Sequence, residues 1–582
     1  MANAENSGSL REHLTYEPRE LRFGTSGRRG LVVDLTQLEV YINALAELQY
    51  LQSLPRERGG IVPGEEFFIA YDLRPSSTAY VPEQGGKGEI AQAVVRAIQD
   101  AGMKPVNLGC IPTPALTLYG ISRNRGSIMV TGSHIPFDRN GYKANTSVGE
   151  LLKKDEAPIN DRVREVRQRV YGQPFAESLF NERGLLKSGH QELPPVTDDG
   201  RKEYVQRYTS FFRGKSLRGA RVLAYQHSAV GRDILVEILG LLGAEVIPAG
   251  RSDTFVPIDT ENVNQAQLET IQRLADEAAA KHGPLDAVVS TDGDSDRPLV
   301  LGVEPTGAVR FFGGDLVGMI VAEYLGADAV VVPISCNDAI DRGPLKEKLQ
   351  PKTRIGSPYV IAGMQRARAS GKRVVCGWEA NGGFLTGSDI ERDGNTLRAL
   401  PTRDAMLPIL CALFAAKERG MSLPELFATL PKRFSKAALL PNFPQSTSVK
   451  IVQRFSPTDP RVCNVLFEDG RTVATDEHGS PVDLTQEEAR RIEGIRRELS
   501  ALFTPAEGFG PIVRLNYTDG VRIIFANGDV AHVRPSGNAD ELRIYAVADT
   551  QERADAIAAM GVAEPNGILR RMEQAVMAPV EA

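Results

Sequence analysis

The sequence predicts an α/β protein: three related α/β domains on mainly parallel mixed sheets, then an α+β domain at the C-terminus. Three observations carry that expectation. A strand–helix–strand phrase recurs three times along the chain. In the first two copies the helical pattern closes on a glycine. Beyond residue 510 the pattern changes to short strands joined by Asp-Gly and Asn-Gly.

The first copy opens with the apolar run FFIAYD at 67–72. It continues as a helical pattern from about 89 to 101, ended by Gly102, and is extended again over 105–108. In the second, 221–226 is a strand, 230–242 has apolar residues at helical spacing closed by Gly243, and 245–248 is the next strand. The third begins at 329–334, and a helix from about 339 to 349 leads into 353–355. Strand, helix, strand is the unit of a parallel sheet with helices on its faces. A glycine after a helix fits a left-handed C-cap. The copies share pattern rather than residues. Near the C-terminus 513–517, 521–525, 530–533 and 542–547 read as strands, with a helix from about 550. Asp519-Gly520 and Asn527-Gly528 supply hairpin turns. The charged stretch 150–187 reads as a solvated helix. The apolar run 406–416 is too short to span a bilayer and reads as a buried helix.

A chain of 582 residues is too long for one hydrophobic core. The expected divisions are a tail over 1–20 and domains over 21–200, 201–304, 305–432 and 433–582. A net charge of −6 provides no global basic field, so neither nucleic acid nor a membrane is expected as a partner. An anionic small molecule would need locally placed Arg and Lys. Residues 1–11 are polar and lack the apolar core of a secretion signal. The cysteines at 110, 336, 376, 411 and 463 are scattered, form no metal-type pair, and fit a reducing cytoplasm.

Five stretches carry chemistry. TGSHIP at 131–136 puts the Ser133 hydroxyl among small neighbours, with Lys143 ten residues on. Such a serine can carry a phosphoryl group, splitting one difficult transfer into two; Ser beside Gly is also a common turn. After the apolar strand 285–290 comes TDGDSDR, with Asp292, Asp294 and Asp296 at alternate positions. An extended backbone would project the three carboxylates to one side. Their repulsion is resolved by a hard cation such as Mg²⁺, which accepts oxygen ligands; the bland reading is a solvated acidic turn. No glutamate follows at the spacing of an EF-hand, and Asp296 stands where a haloacid-dehalogenase motif wants Thr or Val. FGTSGRRG at 23–30 and RPSGNADELRIY at 534–545 combine freed backbone amides with arginines, the ingredients of a phosphate cradle. A flexible turn and a hairpin corner are their respective bland readings. CGWEANGGFLTG at 376–387 sets Glu379 and Asn381 between glycines, where hydroxyls could be gripped. Trp378 reads equally as a core plug.

In this order, the five stretches resemble the α-D-phosphohexomutase superfamily, which includes phosphoglucomutases and phosphomannomutases. The likeness runs from about residue 20 to 575 and implies four domains around a central cleft, the last one smaller. It implies that Ser133 carries the phosphoryl group and that Asp292, Asp294 and Asp296 hold Mg²⁺, with the serine-borne oxygen completing the site. Arg297 lies beside them. Lys143, Arg29 and His134 become the candidates for proton handling. His134 is expected to support the loop, since adjacent side chains usually diverge. Glu379 and Asn381 match the sugar-gripping loop; Arg534, Ser536, Gly537 and Asn538, flanked by Arg543, match the loop for the other phosphate. The family usually has Ser where Asn381 stands, Thr where Asn538 stands, and often His where Gly383 stands.

The implied reaction moves phosphate between O6 and O1 of a hexose through a hexose 1,6-bisphosphate, which also serves as activator. A phosphosugar is the expected partner, and the chain a monomer or homodimer. Overall likeness ranks mannose first, glucose second and glucosamine third. A metal-dependent sugar-phosphate phosphatase and a non-catalytic sugar-phosphate-binding protein are the rivals from other classes.

Overall fold

The computed structural model describes residues 8–577 except 25, 26, 469, 478 and 537–539. The chain forms two compact units: Met1–Ala327 with Ser357–Leu426, and Asp328–Gly356 with Phe427–Ala582.

In the first unit, strand Glu66–Tyr71 pairs in parallel with Lys104–Asn107 and Ser127–Val130. Arg139–Thr146 runs antiparallel to Ser127–Val130 and carries Arg28–Leu31 on its other edge. A second sheet repeats the scheme. Arg221–His227 lies parallel to Glu245–Arg251 and Ala287–Thr291, and Pro298–Val303 and Val309–Phe312 add antiparallel edges. Both sheets are therefore mixed, as expected. A helix ends where the glycine was read: helix Ile90–Asp100 is followed by Gly102 at φ +74°. Strands Val375–Trp378, Phe384–Thr386 and Leu400–Asp404 are antiparallel, and the buried helix Met406–Arg419 follows.

The stretch 150–187 is corrected on two counts. Only Lys153–Tyr171 is helical. It is not simply solvated: Ile159, Val163, Val166 and Val170, at helical spacing, join the core formed with helix Gln37–Ser53.

The second unit is α+β around an eight-stranded antiparallel sheet. Its order is Phe434–Pro441, Glu541–Ala548, Val530–Pro535, Val521–Phe525, Ile512–Asn516, Asn464–Glu468, Arg471–Thr475 and Pro481–Val482. The four strands read from sequence are there with their hairpins. The helix expected over 339–349 is not. Gly343-Pro344 interrupts it, since proline disfavours helical backbone in the residue before it. Two short 3-10 turns, Asp338–Asp341 and Lys346–Lys348, take its place. Residues 349–353 still return parallel to 330–333, through bridges at Val330–Leu349 and Pro333–Thr353. Buried Arg433 fastens this segment to the sheet. It donates to Asp338 at 2.6 and 2.9 Å, to Asp549 at 2.8 Å and to the Gly528 carbonyl at 2.8 Å. Among the described residues no helix is long and apolar enough to cross a membrane.

Candidate active site

The chain leaves strand Ser127–Val130 and turns before Arg139–Thr146. The turn places Ser133 at φ +55°, a conformation that a residue with a Cβ holds only when its surroundings impose it. Here they do. The Thr131 hydroxyl accepts from Ser133 N at 2.7 Å and donates to Asp72 at 2.8 Å. Arg74 donates to the carbonyls of Ser133, Ile135, Pro136 and Arg139 at 2.6–3.0 Å. Gly132 makes room for that guanidinium, which a Cβ would meet at 2.6 Å. The Ser133 hydroxyl donates to Asp292 at 2.7 Å. His134 Nδ1 sits 3.5 Å from the same oxygen. The adjacent side chains thus do not diverge as expected, because the left-handed turn swings the two toward each other; the distance is at the outer edge of hydrogen bonding.

Strand Ala287–Thr291 delivers the acidic loop. Its backbone is not extended, as the alternate spacing had implied. It turns, with Ser295 at φ +56°, and Asp292 Oδ1 accepts from the amides of Asp296 and Arg297 at 3.2 Å each. The turn, rather than strand alternation, converges the carboxylates of Asp292, Asp294 and Asp296, whose ligand oxygens lie within 4.8 Å of one another. Asp294 Oδ1 and Asp296 Oδ1 are buried and accept no hydrogen bond. Buried, converging carboxylate oxygens with unused lone pairs fit a hard divalent cation.

Cations already surround the loop. Lys143 Nζ lies 2.7 Å from Asp294 and 2.8 Å from Asp296, and Thr113 donates to Asp294 at 2.6 Å. Arg297 stands 3.7 Å from Asp296 and 4.0 Å from Asp292. Burial opposes ionisation of all three aspartates, with different outcomes. Asp292, beside two other carboxylates, is pushed well above the usual range. Lys143 holds Asp294 far below it, and Arg403 with Lys143 brings Asp296 down. Arg29 pairs with Gly141 on the strand that carries Lys143. Burial lowers its guanidinium to about 10 against the attraction of Asp294, so it stays charged at neutral pH.

Glu379 and Asn381 lie in the turn between Val375–Trp378 and Phe384–Thr386, and both are buried. The Asn381 side-chain oxygen accepts from Gly383 N at 3.0 Å, folding its own loop. Glu379 is held at 3.0 Å by Arg403, which also donates to Asp296 at 2.8 and 3.1 Å. Gly383 is explained by that arginine: a Cβ would meet Arg403 Cδ at 2.5 Å and Cγ at 2.7 Å. Trp378 is a core plug, stacked on Phe384 and donating to the Asp315 carbonyl at 3.1 Å.

The remaining candidates belong to the second unit. Arg534 and Arg543 face each other across adjacent strands. Arg534 is 3.4 Å from Asp519, and Arg543 is 2.8 Å from Glu541. Ser536 is buried, and its amide donates to the Glu541 carbonyl at 2.9 Å. Gly537 and Asn538 lie outside the described residues. Sequence reasoning missed Asp72, Arg74, Thr113 and Arg403. Asp72 ends a predicted strand and Arg74 follows two residues on, in the pattern DLR, a signal that could have been taken; Arg403 carries none beyond standing before a buried helix.

A constrained serine against a buried carboxylate triad ringed by cations defines a phosphoryl-transfer enzyme on an α/β scaffold. Comparison with known proteins specifies the family. The models of phosphoglucomutase/phosphomannomutase α/β/α domain I, α/β/α domain III and C-terminal domain match residues 20–170, 313–434 and 447–564. A phosphomannomutase of Sinorhizobium fredii (strain NBRC 101917 / NGR234) is 36% identical over 94% of this chain and 98% of its own length. One of Salmonella muenchen is 36% identical over 92% and 93%. A solved phosphoglucomutase/phosphomannomutase family protein from Burkholderia thailandensis shares the fold, with a TM-score of 0.59 at 16% identity over 96% of this chain and 98% of that one. The chain belongs to the phosphoglucomutase/phosphomannomutase family, and its enzyme class is that of the phosphohexomutases, isomerases that transfer a phosphoryl group intramolecularly.

Proposed function

We propose that this chain interconverts mannose 6-phosphate and mannose 1-phosphate, with Ser133 as the phosphoryl carrier. The observation that carries the reading is the Ser133 hydroxyl, 2.7 Å from Asp292 in the carboxylate triad. The whole-length relatives named phosphomannomutase support mannose over glucose and glucosamine.

In the first half-reaction the bond from phosphorus to Ser133 Oγ breaks as a sugar hydroxyl oxygen bonds to phosphorus. The hydroxyl proton passes to the serine oxygen, with Lys143, His134 and Arg29 as the groups that relay it. The product is a hexose 1,6-bisphosphate, whose other phosphate then returns to Ser133. Asp292, Asp294 and Asp296 would hold Mg²⁺, which supplies charge neutralisation for the transferring phosphoryl group. Lys143, Arg297 and Arg29 neutralise the same charge from the protein side. Glu379 and Asn381 bind sugar hydroxyls; Arg534, Ser536, Gly537, Asn538 and Arg543 bind the phosphate that is not being transferred. The scattered cysteines, none of them in a disulfide, support a cytoplasmic setting.

The test supplies mannose 1-phosphate or glucose 1-phosphate with Mg²⁺ and catalytic hexose 1,6-bisphosphate, and reads isomer and free phosphate together. Faster mannose isomerisation with little free phosphate is expected. Release of phosphate in place of isomer would make the protein a phosphatase, and faster glucose turnover would move the substrate assignment.

A further inference from the structure

The segment 252–263, between strand Glu245–Arg251 and helix Gln265–His282, belongs to no motif read above. It nevertheless meets all three loops of the site in the first unit. The guanidinium carbon of Arg74 lies over the ring of buried Phe255, 3.7 Å from its centroid. The same ring packs on the acidic loop: a Cβ at Gly293 would stand 3.1 Å from it and 2.6 Å from the Ser133 carbonyl. Asp259 lies 3.9 Å from Arg297. Thr260 donates to the Asn381 carbonyl at 2.7 Å in the sugar loop.

Arg74 is the link to the nucleophile. Its two terminal amino groups donate to the four carbonyls that shape the turn around Ser133, and its Nε stands 3.3 Å from Asp72. Those bonds lie in the guanidinium plane, so they leave its faces to other partners. Without a partner on the face, the group could tilt out of the plane of its acceptors. An aromatic ring attracts the cation and also fixes its plane, which aliphatic packing does not.

Resting on the proposed role of Ser133, we infer that Phe255 is a positioning residue for phosphoryl transfer: through Arg74 it fixes the strained turn that aims the Ser133 hydroxyl at the metal site. The segment 252–263 is then a strap that keeps the nucleophile, metal and sugar loops in register. The Phe255 ring packs on Arg74 and Gly293 and offers no polar group to a sugar or a metal, so its loss should act on the chemical step and leave sugar affinity unchanged.

The experiment compares the unmodified protein, Phe255→Leu and a series with mono-, di- and trifluorinated phenylalanine at 255. Fluorination withdraws ring charge at almost constant shape, so folding is preserved even where leucine compromises it. Readouts are kcat and KM for mannose 1-phosphate and the single-turnover rate of Ser133 phosphorylation by hexose 1,6-bisphosphate. Expected are a stepwise fall in kcat and in the phosphorylation rate along the series, reaching at least tenfold, with KM within twofold throughout. Phe255→Leu should match the trifluorinated protein. Rates independent of fluorination would overturn the inference, as would a change confined to KM. Failure of the unmodified protein to take a phosphoryl group on Ser133 would instead overturn the catalytic reading beneath it.

Discussion

Ser133 is one residue on which two demands meet: a strained backbone and a reactive oxygen. The strain belongs to the Cβ, and the chemistry to the hydroxyl. Ser133→Ala should therefore abolish isomerisation while leaving stability near that of the parent protein. Ser133→Gly should also be inactive, yet exceed Ser133→Ala in unfolding free energy by about 1 kcal/mol, since glycine tolerates positive φ; urea unfolding of the two variants checks this. At Asp294, buried with one unused oxygen, substitution by Asn removes a charge the cation needs. Titrating Mg²⁺ against rate should show a higher half-saturation and a kcat lower by roughly 10²-fold; an unchanged metal requirement would remove Asp294 from the ligand set. At this scale the sequence was informative wherever chemistry is local. The serine loop and the acidic triplet are each spelled within a few residues. Arg403 was invisible because its partner Asp296 is 107 positions away.

Loops inherit their geometry from what stands behind them. The sugar loop needs Gly383 because Arg403 fills the space above it with the inner part of its side chain, which cannot swing away. Gly383→Ala should cost about 1–3 kcal/mol through overpacking. It should also lower kcat, because Arg403 can no longer hold Asp296 and Glu379 together; thermal unfolding and steady-state kinetics measure the two effects. Legibility of the elements followed the same logic. Helices with apolar periodicity and a closing glycine, such as Ile90–Asp100, could be read directly. The helix over 339–349 was misread because apolar spacing there outweighed Gly343-Pro344, and backbone constraint prevailed. Strands Asn464–Glu468 and Arg471–Thr475 were missed because their charged and exposed positions, among them Val473, blur the alternation.

Across the whole molecule, burial of ionisable groups sets a pH dependence. His532 is fully buried in the second unit, and burial, reinforced by Arg522 and Arg534, lowers its pKa to about 3. The unfolded chain takes up this proton near pH 6.5 and the folded chain does not. Stability from His532 is thus present above pH 6.5 and is lost as pH falls toward 3. Acidification from pH 7 to 5 should cost the second unit about 2 kcal/mol from this group alone. Urea unfolding at the two pH values should show that loss, and His532→Gln should reduce it.

The second unit is assembled from two stretches of chain separated by residues 357–426. Arg433 depends on Asp338 across that separation, and buried Arg522 donates to the carbonyl of Ile334. A fragment cut at residue 427 would take Asp338 from Arg433, leaving it Asp549 and the Gly528 carbonyl, and would take the Ile334 carbonyl from Arg522. The module should therefore lose stability when cloned as a linear piece. To stand alone it would need 328–356 supplied as a second peptide, or joined to the new terminus by circular permutation. On the ribosome, likewise, that early stretch waits for partners still to be translated.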